Sequence, residues 1–255
     1  MRIVAVSATL PNVAQIASFI ESGEAYAFDI SYRPVPLKTH VVACGFVGTN
    51  RYLFDKGLDR HVPQLLRRFS SGRPAIVFCH SKKDTEQLSE ELSKSYSNQA
   101  SLDNSALIKF SNQASSAILQ RYLRAGIGYH HAGLDAGDRR LVEEAFMSGN
   151  ISCLCATSTL AMGVNLPSHL VLIKGTSAYR GSANGHQDID TGTLLQMIGR
   201  AGRPGFDTSG IAVIMTDSQS QRRFENLSHG YVQMHCYFPG YSMMQVFISQ
   251  AFIDL

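Results

Sequence analysis

Two arginines three residues apart, Arg200 and Arg203, are the side chains of this sequence best suited to charge chemistry. Glycines at positions 199, 202 and 205 flank them, so the backbone can approach closely and a helix can end there. The spacing predicts that both guanidinium groups lie on one helical face, although a solvated surface pair has the same spacing. Guanidinium groups match phosphate oxygens and stabilise a phosphoryl group in transfer. We interpret Arg200 and Arg203 as arginine fingers, with Gln196 placed to orient a water or the terminal phosphate.

Small polar residues follow several apolar runs, at 7–9 (SAT), 79–81 (CHS), 130–133 (HHAG) and 156–159 (ATST). Ligands of parallel sheets bind beyond the carboxyl ends of the strands, so these tripeptides and tetrapeptides are candidate contact points. Ser81 and Lys82 open a predicted helix whose first N–H groups could meet a phosphate, although a solvated lysine is an equal alternative. The hydroxyls of Thr157 and Thr159 could reach a phosphate oxygen in the same way.

The elements that position these groups are short apolar runs alternating with longer amphipathic segments. This alternation predicts an α/β fold with a parallel sheet of five or six strands flanked by helices. The region 95–116 is rich in Ser, Asn and Gln and is compatible with a loop or with a continuing helix. The predicted strands lie at 2–6, 37–45, 75–79, 127–130, 151–156, 170–174 and 211–215, and the predicted helices near 58–69, 82–94, 135–147 and 221–227.

Composition narrows the class of protein. The 255 residues are 44% hydrophobic and 17% charged, as in ordinary soluble globular proteins, and no apolar run is long enough for a membrane span. The formal net charge of +3 is compatible with a polyanionic partner but does not require one. Five cysteines form no metal-ligand spacing, so we expect no metal site, and their odd number favours a reducing, intracellular compartment.

Three segments together resemble motifs III, V and VI of superfamily 2 helicases: SAT at 7–9, ATSTLAMGVNLP at 156–167 and QMIGRAGRPGFD at 196–207. The sequences of the last two segments are most similar to those of the superkiller-like DExH-box helicases. Within that group they most resemble the meiotic crossover-promoting ATP-dependent DNA helicases. The resemblance extends from the first residue to about position 216. It implies a RecA-like second helicase lobe that takes part in 3′→5′ unwinding of DNA, in meiotic recombination and in the nucleus.

The resemblance also implies a division of the chain. Residues 1–32 correspond to the end of a first RecA-like lobe with its last strand, 33–72 to a linker and lead-in, and 73–216 to the second lobe. Residues 217–255 form a divergent tail that does not resemble a winged helix. The sequence contains no GxxxxGK[ST] phosphate loop and no DExH box, so we expect it to be a fragment covering motifs III to VI that is inactive in isolation.

Residue roles follow from the same resemblance. Ser7 and Thr9 would couple nucleotide state to strand separation, although such residues also cap turns. Gly163 and Asn165 would lie toward ATP and Mg²⁺, held mainly by the absent first lobe. The expected nucleic-acid contacts, with DNA favoured over RNA, are Ser81, Lys82, His131, Gly133, Thr157 and Thr159.

The segment 176–192 contains an Asn-Gly pair at 184–185, which predicts a β-hairpin. In the resembled helicases a hairpin at this position parts the duplex, which makes Tyr179 and Arg180 candidate wedge residues. The segment is less acidic than the family pattern, so a plain surface loop remains an alternative.

Two other functions stay open. An RNA helicase of the same group would share these motifs, because phosphate contacts carry no base or sugar identity. A non-enzymatic lobe that binds nucleic acid or a partner would need no phosphate loop. An unrelated Rossmann-type enzyme is excluded because no GxGxxG sequence follows a strand.

Overall fold

A computed structural model describes residues 13–19, 26, 32–45, 50–97, 105–179 and 186–228 of the chain. The predicted strand at 2–6 with Ser7 and Thr9, the Asn-Gly turn with Arg180, and the tail after 228 lie outside the described residues. None of the helices within these ranges is long and apolar enough to cross a bilayer.

Apolar runs form a six-stranded parallel sheet in the order β1-β8-β5-β2-β4-β3, beside a separate two-stranded ribbon, β6-β7. Every residue of β2 and of β5 is buried, as expected for strands covered by helices on both faces. The predicted α/β fold with a parallel, RecA-like sheet is confirmed. The strands are β1 Leu37–Ala43, β2 Ala75–Cys79, β3 Ile127–His130, β4 Cys153–Thr157, β5 Leu170–Lys174, β6 Ser177–Tyr179, β7 His186–Asp188 and β8 Gly210–Thr216.

The helices pack on both faces of this sheet, and one predicted boundary is wrong. The helix expected near 58–69 begins only at Val62, because Leu58 ends an earlier helix and a 3-10 turn at Asp59–His61 separates the two. Pro63 lies in the first turn of the second helix, where the backbone N–H that proline lacks would have no partner within the helix. Proline at this position therefore favours the start of a new helix. The helices are α1 Val13–Phe19, α2 Arg51–Leu58, α3 Val62–Ser70, α4 Lys82–Ser97, α5 Ser105–Gln113, α6 Ala117–Arg124, α7 Ala136–Met147, α8 Thr159–Gly163, α9 Thr191–Gly199 and α10 Gln221–Ser228.

The segment 33–72, interpreted above as a linker and lead-in, contributes the strand at one edge of the sheet. All seven residues of β1 pair in parallel with β8, from Leu37 opposite Gly210 to Ala43 opposite Thr216. This strand is therefore part of the same hydrogen-bonded sheet as the rest of the lobe.

The sheet order places the candidate motifs at two different edges. At the carboxyl edge, Cys79 is in register with Thr157, and His130 with Ala156, so the ends of β2, β4 and β3 are neighbours. The chain after α9 lies at the amino edge, where Ala201 forms a bridge with Ser168 just before β5.

Candidate functional site

Helix α9 carries the arginine motif at its carboxyl end. The Asp190 side chain caps its first turn by accepting from the N–H of Thr193 at 2.8 Å. The helix ends at Gly199 with Arg200 as its C-cap, because Gly202 has a φ of +92° and the chain there turns onto Ser168. The prediction that both arginines share one helical face is therefore wrong, since Arg203 lies beyond the helix.

Arg200 is held by the motif V segment. Its guanidinium donates to Asn165 Oδ1 at 2.9 Å and also to the carbonyl of Ala161 in α8. Burial lowers the pKa of this guanidinium from its usual value. The structure thus brings Arg200 and Asn165 together, while Gly163 ends α8 with open space around its Cα.

Arg203 makes a two-pronged ion pair with Asp207, a residue that the sequence analysis did not assign. Its Nε and Nη2 donate to the two carboxylate oxygens at 2.9 and 3.0 Å, and its backbone N–H donates at 3.0 Å. His169 Nδ1 and Arg73 Nη1 lie 3.3 and 3.5 Å from the same carboxylate, whose side chain is fully buried. Burial alone would raise the pKa of Asp207, but the hydrogen bonds from Arg203 lower it overall. An arginine and an aspartate four residues apart were the only local signal for this pair.

Gln196 lies one turn before Arg200 on α9. Its Oε1 is buried and has no hydrogen-bond partner among the described residues. A buried amide oxygen without a partner is uncommon in proteins and is often explained by an absent ligand or water. The position is compatible with the orienting role predicted for Gln196.

The donors around α9 fit the phosphate end of a nucleotide. Guanidinium groups are strong donors to phosphate oxygens, and Arg200, Arg203 and Gln196 are supplied by consecutive turns of chain. Over the ranges that the structure describes, no group of three or more His, Cys, Asp or Glu residues could hold a metal ion. The guanidinium groups of Arg200 and Arg203 have the donor chemistry that fits the phosphates of ATP.

A second cluster lies at the carboxyl edge of the sheet, where α4 begins directly after β2. Ser81 Oγ caps α4 by accepting from the N–H of Asp84 at 3.1 Å. A Cβ added at Gly133 would lie 3.2 Å from Lys82 Nζ, so the ammonium group rests directly over this glycine. The structure therefore brings together Ser81, Lys82 and Gly133 from two separate motifs.

His131 fixes the shape of this cluster. Its Nδ1 accepts from the N–H of Gly133 at 3.1 Å, which places the ring proton on Nε2, 3.0 Å from Glu86 Oε1. The ring also stacks on Tyr129, with 5.4 Å between centroids. His131 therefore holds the turn at Gly133 in place, and its nitrogens are already engaged.

Thr157 and Thr159 extend the same edge. Their hydroxyl oxygens are 2.9 Å apart, and Thr159 is exposed while Thr157 is half-buried. Since β4 lies between β2 and β3, these hydroxyls are placed between Ser81 and His131 along the edge.

The short helix α8 joins the two clusters. It begins at Thr159, and its third residue, Ala161, supplies the carbonyl that accepts from Arg200. The three residues 159–161 therefore connect the carboxyl-edge cluster to residues 199–207, which we call the arginine turn.

A buried lysine positions the first turn of α4. Lys174, at the end of β5, is fully buried and donates to Asp59 and, at 2.6 Å, to Asp84 Oδ1. Burial alone would lower the pKa of Lys174, but the surrounding acidic groups raise it overall. Asp59 and Asp84 lie 115 and 90 residues from Lys174 along the chain, so no local sequence pattern indicates this network.

The predicted hairpin is confirmed as the antiparallel pair β6-β7, with Ser177 opposite Asp188. Arg51 anchors its base, because its guanidinium donates to Ser177 Oγ and to Asp217 Oδ2, each at 2.7 Å. Tyr179 lies at the end of β6, and its proposed wedge role is a prediction that the strand pairing alone does not test.

Comparison with known proteins shows which family this chain is similar to. The sequence profile described as "Helicase conserved C-terminal domain" matches residues 58–205. The chain is 37% identical over 240 residues to "ATP-dependent DNA helicase homolog MER3" of Arabidopsis thaliana, covering 90% of the chain and 21% of that protein. It is 39% identical over 238 residues to "Probable ATP-dependent DNA helicase HFM1" of Xenopus tropicalis, covering 90% of the chain and 18% of that protein.

An RNA helicase is also among the relatives. "DExH-box ATP-dependent RNA helicase DExH14" of Arabidopsis thaliana is 37% identical over 232 residues, covering 85% of the chain and 10% of that protein. The chain thus spans about a fifth or less of the length of these relatives.

Proposed function

The chain belongs to the helicase conserved C-terminal domain family, and from this premise we propose that it is the second lobe of an ATP-dependent helicase motor. The observation that carries the proposal is the contact of Arg200 with Asn165 and Ala161, which joins the arginine turn to α8 and to the carboxyl-edge cluster. We also propose the division into 1–32, 33–72, 73–216 and 217–255, with the first segment completing another lobe.

In this proposal the arginine turn acts across a lobe interface. Arg200 and Arg203 stabilise negative charge on the phosphates of ATP, and Gln196 orients the attacking water with its unpaired amide oxygen. ATP with Mg²⁺ supplies the phosphoryl group whose transfer to water drives the motor. Gly163 and Asn165 face the nucleotide, and Asn165 keeps Arg200 in position before any ligand arrives.

The carboxyl-edge cluster is the proposed nucleic-acid contact. Lys82 and the α4 amino terminus bind one backbone phosphate, and the hydroxyls of Thr157 and Thr159 bind the next. Ser81 and His131 shape the surface, and Gly133 leaves room for the Lys82 side chain. Ser7 and Thr9 keep their predicted coupling role outside the described residues.

DNA is the proposed substrate, with 3′→5′ polarity and a role in meiotic recombination in the nucleus. The MER3 and HFM1 relatives are named as DNA helicases, which supports DNA as the substrate. The DExH14 relative supports RNA as the second candidate. Binding of this chain to single strands of identical sequence distinguishes them, because recognition of RNA uses the 2′-hydroxyl and gives tighter binding to the ribose form.

The enzymatic proposal is tested by ATPase assays on two proteins. One is this chain alone, and the other, called here the two-lobe protein, is this chain joined behind the P-loop lobe of a relative. We expect nucleic-acid-stimulated hydrolysis only in the two-lobe protein, and a roughly 10³-fold lower kcat with Arg203→Ala. The exposed Arg140 on α7 provides the control substitution, Arg140→Ala. Absence of hydrolysis in the two-lobe protein favours the non-enzymatic binding lobe instead.

A further inference from the structure

An arginine far along the chain, Arg33, lies directly behind the arginine turn. Its Nη2 donates to the carbonyls of Gly199 at 3.2 Å and Ala201 at 2.5 Å, and its Nε donates to the carbonyl of Val35 at 2.9 Å. The first two carbonyls flank Arg200 on either side. Arg33 therefore holds the main chain from which the Arg200 side chain projects.

The backbone groups at the end of α9 explain why this contact matters. The last carbonyls of a helix have no partner within the helix and must find one elsewhere. Gly199 and Ala201 obtain theirs from Arg33. The carbonyls between and before them accept from backbone N–H groups: Met197 from Arg200, Ile198 from Ala201, and Arg200 from Ser168. Without Arg33, the carbonyl of Gly199 loses the donor of an exposed hydrogen bond and that of Ala201 the donor of a partly buried one.

The positive charge of Arg33 is also favourable at the carboxyl end of α9. A cation at the carboxyl end of a helix is stabilised by the partial negative charge of the helix dipole. Within the described residues, the hydrogen bonds of Arg33 all go to main-chain carbonyls and none to a carboxylate. Arg33 thus donates to carbonyls of the arginine turn, whereas Arg203 donates to the carboxylate of Asp207.

The residues that follow Arg33 fix the other side of the turn. A Cβ added at Gly202 would lie 2.8 Å from Val35 Cγ1, so Val35 packs against the glycine itself. The carbonyl of Pro36 accepts from the N–H of Gly210 at 2.8 Å, at the start of β8. The segment 33–36 therefore contacts the chain on both sides of Arg203, at 199–202 and at Gly210.

We propose that Arg33 is a positioning residue for Arg200 and Arg203, through which the segment before β1 sets the orientation of both guanidinium groups. The inference rests on the proposed helicase function, in which this segment follows the first lobe. A displacement of residues 33–36 moves the two carbonyls that flank Arg200, so the arginine turn responds to the direction in which the chain arrives from that lobe.

The first test is amide hydrogen exchange on this chain alone, comparing Arg33→Lys with Arg140→Lys. Lysine keeps the positive charge but lacks the planar fork that serves three carbonyls at once. We expect exchange across residues 199–207 to rise about tenfold in Arg33→Lys, as the loss of one or two hydrogen bonds implies, with β2 unchanged. Unaltered exchange in 199–207 overturns the proposal.

The second test is steady-state ATPase kinetics in the two-lobe protein. We expect Arg33→Lys to lower kcat roughly ten- to hundredfold, because catalytic groups misplaced by about 1 Å lose rates of that order. The KM for ATP and the affinity for single-stranded nucleic acid should stay within twofold of the parent protein, roughly the scatter of such measurements. A simple loss of folding would instead reduce the active fraction and leave the exchange of residues 199–207 in the remaining native protein unchanged.

The outcomes separate the two proposals. Loss of hydrolysis in Arg203→Ala with a normal kcat in Arg33→Lys refutes the positioning role and leaves the proposed function standing. No hydrolysis in any two-lobe protein refutes the proposed function, and with it the catalytic purpose of Arg33, while the exchange experiment still decides whether Arg33 holds the turn.

Discussion

At the scale of single residues, Asp55 is a half-buried acid with one buried carboxylate oxygen, Oδ1, that has no hydrogen-bond partner among the described residues. Burial raises the pKa of Asp55 to about 6, Arg51 opposes that change, and Asp84 adds to it. Asp55 therefore carries a charge at neutral pH in surroundings that favour its neutral form.

We predict that Asp55→Asn stabilises the chain above pH 6 and has little effect near pH 4. An acid whose pKa is raised on folding binds more protons in the native state, so stability falls as pH rises from about 4 to about 6. The gain at pH 7.5 should be about 1–2 kcal/mol after allowance for solvent screening of a partly exposed carboxyl. Urea unfolding at pH 4 and pH 7.5 measures it.

The matched control for that measurement is Glu144→Gln, which neutralises an exposed carboxyl on α7. Its effect should be small and nearly the same at both pH values. Equal stabilisation by the two substitutions would mean that net charge, and not the burial of Asp55, is responsible.

The residues found from sequence and those missed differ in the range of their contacts. Arg200, Lys82 and Thr157 follow strand ends or helix ends in local patterns that name the motif. Arg33 and Lys174 contact partners 90 or more residues away, and no local spacing indicates such a pairing. Sequence patterns find side chains that point at a ligand more readily than those that hold them in place.

At the scale of elements, the first turn of α4 is the part of the carboxyl edge most ready to meet a phosphate. Ser81 caps its amino terminus, and Lys174 holds the turn by donating to the carboxylate of Asp84. Lys82 lies over Gly133, whereas the exposed Lys83 has no corresponding position over that glycine. Two adjacent lysines thus differ in placement though not in charge.

Lys82→Ala should weaken binding of this chain to single-stranded DNA and reduce the slope of log affinity against log salt by about 0.7, the release expected for one phosphate contact. Lys83→Ala, which removes the same charge one residue away, is the control and should leave most of the slope intact. Fluorescence anisotropy across a salt series gives both quantities. Identical slopes for the two variants would contradict a specific contact by Lys82.

Element ends were harder to predict than elements. The buried strands β2 and β5 were recognised at their observed bounds because uninterrupted apolar runs admit few alternatives. The end of α9 was not recognised, because the bridge between Ala201 and Ser168 that turns the chain is a tertiary contact. Glycine spacing indicated that the helix could end near Arg200 but not on which side of Arg203.

At the scale of the whole molecule, one sheet carries two candidate sites at its opposite edges. The carboxyl-edge cluster lies beyond the carboxyl ends of β2, β4 and β3, and the arginine turn lies near the amino ends of β5 and β8. The sequence predicted both motifs and the sheet, but the strand order that separates them depends on long-range pairing. The edge strand β1 completes this arrangement from outside the 58–205 match.

We predict that β1 and the segment before it are required for a stable lobe. A chain beginning at Tyr32 should unfold cooperatively and stay monomeric, whereas one beginning at Asn50 should melt at lower temperature and associate. The shorter chain lacks the seven-residue pairing that covers β8, and an uncovered strand edge invites intermolecular pairing. Size-exclusion chromatography with thermal unfolding followed by circular dichroism compares them. Equal melting temperatures would show that β1 is dispensable.

The ion pair between Arg203 and Asp207 has a consequence for ligand selection. Arg203 is not an uncommitted cation, because both prongs of its guanidinium already donate to one carboxylate. A phosphate that approaches it exchanges one charge-assisted pair for another, and its net binding free energy is the difference between the two. Arg73, 3.5 Å from the same carboxylate, is then the guanidinium left to balance the charge of Asp207. We therefore expect the turn to discriminate among anions by charge and to favour a highly charged phosphoryl group over a simple carboxylate.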